Sequence, residues 1–450
     1  MVGLAREGVS LVRFLAGVGA EVTANDRATE ASLASTLASL EGLPIRFALG
    51  GHPSELFLES DFVFVSPGVP LQMAPLVEAR EQGVSFTSET QLFFELCRGQ
   101  LVGITGSSGK TTTTTLVGEM AREAGLTVHV GGNIGVPLLE RLDRIDSGDW
   151  VVLEMSSFQL ERLPYSPTIA AILNVTPNHL DRHGDMDSYV AAKANILRHQ
   201  RQGDRAILSA DDSVTSGLQT VEPPLWFSME RPVEGSCLEG GRIVLRRGTS
   251  VEMVCRVAEV RLRGRHNLAN VLAATAVASA MGVPPEAMRA AISRFRGVPH
   301  RLEVVAEIDG VVYCNDSIAT APERSMASLR SFEEPIVLIA GGRDKHLPME
   351  EWGELIRQRV KALVLLGEAG DLIERAVANA PGPTAPPIFR TDSMEEAVHV
   401  ARRAASSGDV VLLAPGGTSF DMFKDFEERG ERFRECVRGL GNQSEGKGTR

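Results

Sequence analysis

The residues with the clearest chemistry are Gly106-Ser107-Ser108-Gly109-Lys110-Thr111, which join an apolar run over 101–105 to a helix predicted over 112–124. A strand before and a helix after are the context a phosphate-binding loop requires. Backbone N–H groups and the helix N-terminus cradle phosphate oxygens, Lys110 reaches the β and γ positions, and the Thr111 hydroxyl takes Mg²⁺. The spacing departs from the usual form, because five residues rather than four separate Gly103 from Gly109.

Three further groups fall near the ends of the strands that follow. Glu154 ends the run 150–154, where a hard carboxylate oxygen could hold Mg²⁺; taken alone, a solvated strand-end carboxylate is an equal reading. His179 lies in Asn174-Val175-Thr176-Pro177-Asn178-His179, on the same rim after the next strand. Lys193 sits on a helix predicted over 187–198. Only six of the 46 basic residues are lysines: Lys110, Lys193, Lys345, Lys361, Lys424 and Lys447. Arginine cannot replace lysine where a deprotonatable amine is needed, so an isolated Lys193 beside two candidate metal ligands stands out. At the start, Gly3-x-Ala5-x-x-Gly8 with Asp26 downstream reads as a weak dinucleotide-like turn, a nucleotide-holding unit without a nicotinamide signature.

Positioning these groups requires a repeated unit of short apolar strand, Gly-rich turn and helix. The runs 61–68, 101–106, 150–156, 168–175, 335–342 and 409–417 supply it. Such runs suit strands buried on both faces, and their alternation with helices implies α/β architecture with parallel sheets. An alternating stretch over 237–260 predicts β-hairpins, an antiparallel patch inside the middle region. Breaks at 98–100 and 297–299 divide the chain into 1–98, 99–298 and 299–450. Gly3 falls so early that either the first strand is very short or the chain lacks part of it. The tail 441–450 is polar and expected to be disordered.

With 450 residues the chain has room for about three domains. Its net charge of −12 argues against a general nucleic-acid or anionic-membrane surface. Five scattered cysteines without C-x-x-C spacing point away from a disulfide framework or zinc site and towards a reducing compartment. No apolar run approaches the ~18 residues a bilayer span needs, and no basic segment precedes an apolar one at the start. The expectation is a cytoplasmic protein.

Taken in order, "GITGSSGKTT", "GGNIG", "EMSSFQLE", "NVTPNHLDRH", "YVAAKANIL", "GRHNLANVLAA", "GVPHRLE", "NDSIAT" and "TSFDMFKDFEERG" resemble the Mur ligases over nearly the whole length. The resemblance implies three domains. These are a Rossmann-like N-terminal domain for a uridine nucleotide, a central P-loop ATPase-type parallel sheet with its antiparallel patch, and a Rossmann-like C-terminal domain for an amino acid. It implies ATP on Gly106, Ser107, Ser108, Gly109, Lys110, Thr111 and Thr112, with Asn270 on the adenine side and Arg301 and Asp316 reaching ATP from the third domain. Two Mg²⁺ sites are implied. Thr111 and Glu154 serve the first, and His179 and a carbamylated Lys193 the second. Ser10, Asp26 and Arg27 would hold the uridine nucleotide, and Asn133, Ser156 and Gln159 the muramoyl-alanine end. Thr320, Lys345, Ser419 and Phe426 would position D-glutamate. Ile318 and Asn178 depart from the residues relatives often carry.

The chemistry so implied is ATP-dependent joining of D-glutamate to UDP-N-acetylmuramoyl-L-alanine through an acyl phosphate, in peptidoglycan precursor synthesis. The expected partners are those two substrates, without nucleic acid or membrane insertion, and the chain is expected to act as a monomer. Rival readings are an L-alanine-adding or folylpolyglutamate-type ligase of the same superfamily, a nicotinamide oxidoreductase, and a nucleotide-binding module without turnover. The last two leave Glu154, His179 and Lys193 unexplained.

Overall fold

The structure is a computed structural model and describes every residue except 135–136, 263, 346 and 446–450. It divides into two compact units, Met1–Phe295 and Arg296–Arg450. Both are α/β, with sheets dominated by parallel pairs.

The first unit opens with two small parallel pairs, Val22–Asp26 with Ile45–Leu49 and Phe62–Phe64 with Ser85–Thr87. Val2 forms parallel bridges to both Asn25 and Val65. Val2 therefore sits between the two pairs: Val2 N donates to Phe64 O, Ser66 N to Val2 O, and Gly3 N to Asn25 O. Gly8 is the residue that lets the helix Arg6–Gly17 follow so closely, since a Cβ there would lie 2.1 Å from Gly3 O.

A nine-stranded sheet forms the rest of this unit. Within it Gln100–Thr105 lies between Trp150–Glu154 and Ile169–Ile172, all parallel. Val102 and Ile104 are fully buried, as the apolar run predicts. At the far edge Gly235–Glu239, Arg242–Arg247 and Ser250–Arg256 pair antiparallel, the patch expected from the alternating stretch. The helix Lys110–Glu123 packs on one face beside Arg265–Ala280. The buried small residues Ala273, Ala274 and Ala276 allow that approach. The helix Met186–Arg198 covers the other face with Tyr189 and Ile196, and Leu11 of the first helix joins the same core.

The second unit is a six-stranded sheet in the order Glu303–Ile308, Val311–Asn315, Val410–Gly416, Ile336–Gly341, Val360–Leu366 and Ile388–Thr391. Only the first pair is antiparallel. The helix Phe426–Glu445 buries Phe433, Val437 and Leu440 against it. That helix overturns half of the expectation for the tail, because 441–445 continue it rather than fray. Lys447 lies outside the described residues, as does Gly135 of "GGNIG".

Where the first helix meets the central sheet, Glu7 and Glu89 line one cavity of about 20 Å³. Burial and the neighbouring Glu7 carboxylate push the Glu89 carboxyl up to about 8. A carboxyl raised in the folded state keeps its proton where the unfolded chain has lost it, so stability falls as pH rises from about 4.5 to about 8. Glu89→Gln should therefore raise the thermal midpoint at pH 8 by about 2–4 °C per kcal/mol relieved and leave it unchanged at pH 4. Parallel melts at the two pH values check this.

Candidate active site

Parallel order brings the carboxyl ends of Gln100–Thr105, Trp150–Glu154 and Ile169–Ile172 side by side, so the loops that follow them share one rim. Gly109 turns the first loop into its helix at φ 80°, a conformation that favours glycine. A Cβ there would lie 2.1 Å from Asn270 Oδ1, which places Asn270 against the loop. The loop is tied to the next strand end: Ser108 N donates to Asn174 Oδ1 at 2.9 Å, and Ser107 N to Asn174 O at 3.0 Å. Ser107 Oγ donates to Thr176 O at 2.9 Å and meets Tyr189 Oη at 3.0 Å. Thr111 and Thr112 are buried in the first turn of the helix, behind the loop.

Two lysines converge on this loop. Lys110 Nζ donates to Gly106 O at 3.0 Å, and Lys193 Nζ donates to the same oxygen at 2.9 Å. Lys193 is 2 % exposed, with its Nζ 4.7 Å from the centroid of the Tyr189 ring. Burial, and secondarily the Lys110 charge, push its amine down to about 7. A solvated helix lysine is therefore excluded: this one is interior, touches the phosphate-loop backbone, and exists in part as a neutral amine at neutral pH.

Glu154 is 3 % exposed and accepts from Asn133 Nδ2 at 3.1 Å through Oε1. Its Oε2 is buried with no hydrogen-bond partner among the described residues. A buried carboxylate oxygen left in this condition is costly unless a cation or donor meets it, so the residue suits a Mg²⁺ ligand. Among the described residues no three His, Cys, Asp or Glu side chains form a metal cage. A hydroxyl, one carboxylate and phosphate oxygens are a sufficient hard-ligand set for Mg²⁺, which usually keeps several waters. His179 is exposed on the rim at φ 54°, its ring 5.4 Å from that of Phe158.

Ser156 and Gln159 cap the short helix Ser157–Leu160 reciprocally: Gln159 N donates to Ser156 Oγ, and Ser156 N to Gln159 Oε1. Gln159 Nε2 also donates to Glu7 Oε1 at 2.7 Å, tying this loop to the Gly3 turn. Asp26 braces that turn by accepting from Leu4 N at 2.7 Å. Arg27 is exposed beside it, whereas Ser10 is buried in the first helix, its hydroxyl without a partner among the described residues.

In the second unit, the loops after Val311–Asn315, Val410–Gly416 and Ile336–Gly341 are likewise adjacent. Lys345 Nζ donates to Thr320 Oγ1 at 3.2 Å, and Gly416 N to Ala319 O. Ser419 is buried in the loop that leads towards Phe426, and Phe426 O accepts from Ser317 Oγ at 2.7 Å. Asp316 is buried. It accepts from Leu302 N at 3.0 Å and from the Ser328 hydroxyl, so it underpins the turn that carries Arg301, where His300 and Leu302 both have positive φ.

Sequence reasoning missed Tyr189, Asn174 and Glu7. Tyr189 lies four residues before Lys193 on one helix, a spacing that puts them on one face and could have revealed it. Glu7 carried no such signal, because only the packing of the first helix brings it to Gln159. The tightness of the loop has a direct test. Gly109→Ala adds a methyl against Asn270 and a left-handed strain of about 1–3 kcal/mol. The thermal midpoint should fall, and ATP affinity by calorimetry should drop at least about tenfold.

Comparison with known proteins places these features. Residues 1–88 match the model of the Mur ligase MurD-like N-terminal domain. Residues 104–278 match the Mur ligase middle domain, and 300–417 the Mur ligase glutamate ligase domain. Relatives named UDP-N-acetylmuramoylalanine–D-glutamate ligase include one from Roseiflexus sp., 44% identical over 96% of this chain and 95% of its own length. Another, from Pelotomaculum thermopropionicum, is 43% identical over 98% and 97%. Among solved structures, UDP-N-acetylmuramate-alanine ligase MurC from Thermotoga maritima superposes with a TM-score of 0.59 at 20% identity, covering 98% of each chain. MurF ligase from the same organism, solved in complex with ADP, gives 0.55 at 18% identity over 86% of this chain and 99% of its own. Identity above 40% sustained from one end to the other is more than a shared fold requires, and on that ground the chain belongs to the Mur ligase family.

Proposed function

We propose that this protein is an ATP-dependent amide ligase that adds D-glutamate to UDP-N-acetylmuramoyl-L-alanine, releasing ADP and phosphate, as a cytoplasmic step of peptidoglycan precursor synthesis. The observation that carries the ligase chemistry is the pair of lysines on the Gly106 carbonyl, one on the phosphate loop and one buried beside it. The acceptor and the amino acid follow from the names of full-length relatives.

On this reading the alanyl carboxylate attacks the γ-phosphorus of ATP, and ADP leaves with the bond it breaks. The amine of D-glutamate then attacks the acyl phosphate carbonyl and expels phosphate. Lys110 and the loop N–H groups stabilise the charge that develops on the transferring phosphoryl group. Glu154 and Thr111 would hold Mg²⁺, with His179 and a carbamylated Lys193 holding a second ion. Bound there, the ions would neutralise phosphate charge and orient the γ-phosphoryl group. The buried, partly neutral Lys193 amine is suited to react with CO₂, a step arginine could not perform. Asn133, Ser156 and Gln159 lie on the loops that would hold the acceptor, and the Gly3 turn with Asp26 and Arg27 its nucleotide. Thr320, Lys345, Ser419 and Phe426 would hold D-glutamate, and Asn270, Arg301 and Asp316 would serve ATP. The domain division that fits is 1–98, 99–298 and 299–450.

Phosphate release with UDP-N-acetylmuramoyl-L-alanine and ATP should depend on D-glutamate. Release driven instead by L-alanine or glycine, with D-glutamate at background, would overturn the assignment. Lys193→Arg should lose activity by at least about a hundredfold while ATP binding persists, and a fully active variant would rule out the carbamate.

A further inference from the structure

Arg429, on the helix Phe426–Glu445, is 2 % exposed, and no proposed contact uses it. Its guanidinium knits two of the loops at the strand ends. Nε donates to Ser317 Oγ at 3.0 Å, Nη2 to Ser317 O at 2.9 Å and Nη1 to Gly417 O at 3.1 Å. A Cβ on Gly342 of the third loop would lie 2.9 Å from Nη1, so all three loops enclose the group. Every acceptor is neutral. Among the described residues no carboxylate stands within ion-pair distance, and the opposing charge that acts on it is Asp421, through space. Burial lowers its pKa to about 10, which leaves it charged at neutral pH.

A buried arginine is ordinarily paired, because neutral dipoles compensate poorly for the water it has lost. Here the charge is left to act on whatever occupies the loops. Lys345 registers it: burial, Arg324 and Arg429 all lower that ammonium's pKa, with only Glu323 opposing. Around Lys345 and Arg429 stand the cations Arg324 and Arg343 and the carboxylates Glu323, Glu368 and Asp421, with Glu368 paired to Arg343 and Asp421 opposing both Arg343 and Arg429.

We propose that Arg429 is a specificity-determining residue of the amino-acid site, its buried charge making the Thr320, Lys345 and Ser419 loops select a substrate with two carboxylates over one with a single carboxylate. This rests on the D-glutamate reading above. D-Glutamine, equal in size and one negative charge poorer, is the diagnostic comparison. Arg429 acts through the field it sets and through the loops it holds, without touching the reacting atoms.

The test is steady-state phosphate release with each amino acid. Arg429→Gln should raise KM for D-glutamate about tenfold and leave KM for D-glutamine and ATP unchanged, narrowing the preference. Arg429→Lys, which keeps the charge, should retain most of it. Asp421→Asn removes the opposing charge while leaving the guanidinium in place. It should lower KM for D-glutamate selectively, and it decides the question if Arg429→Gln does not fold. An unchanged D-glutamate to D-glutamine preference in folded Arg429→Gln, or an equal change for both amino acids in Asp421→Asn, overturns the inference. A wild-type enzyme that does not use D-glutamate would instead overturn the functional reading and this inference with it.

Discussion

One backbone oxygen organises the phosphate loop. Gly106 O accepts from both Lys110 and Lys193, so two amines that would repel each other in water are held within reach of a single acceptor. The arrangement works because one is interior: burial drives Lys193 towards its neutral form, which eases the repulsion. Tyr189 completes it, its ring beneath the Lys193 amine and its hydroxyl on Ser107. The loop, the helix behind it and the interior lysine thus form one hydrogen-bonded body.

The strand–turn–helix rhythm was legible because strands buried on both faces must be apolar along their length, and Val102, Ile104 and the run 336–340 are so buried. The antiparallel patch was legible from its turns, since Gly240, Gly241 and Gly248 fall between its strands and all take positive φ. The isolation of Lys193 among arginines was legible as a chemical oddity, but its contact with the phosphate loop was not. That contact depends on the packing of Met186–Arg198 over the sheet, which no local pattern encodes. The continuation of the last helix through 441–445 was missed because polar composition alone does not end a helix whose preceding turns are anchored by Phe433, Val437 and Leu440.

The two units present positive charge at their strand ends in different ways. In the first, a glycine turn and backbone amides stand beside the Lys110 amine at a helix N-terminus, an arrangement suited to phosphate. In the second, the cation is a side chain buried among neutral acceptors. Amide cradles suit a ligand of fixed geometry, whereas an unpaired interior charge discriminates by ligand charge. Both stand on the same rim topology, the carboxyl ends of parallel strands.

The reciprocal cap formed by Ser156 and Gln159 has a consequence for how tightly a ligand could bind there. Their polar groups already satisfy one another and Glu7. A sugar or peptide that engages either side chain must displace an existing partner, trading one hydrogen bond for another. Such an exchange adds little affinity, since the net worth of each bond is only about 1 kcal/mol. It is sensitive to fit, however, because a ligand that breaks the cap without replacing it strands a buried donor or acceptor. Contacts of this kind reject wrong molecules more strongly than they retain right ones.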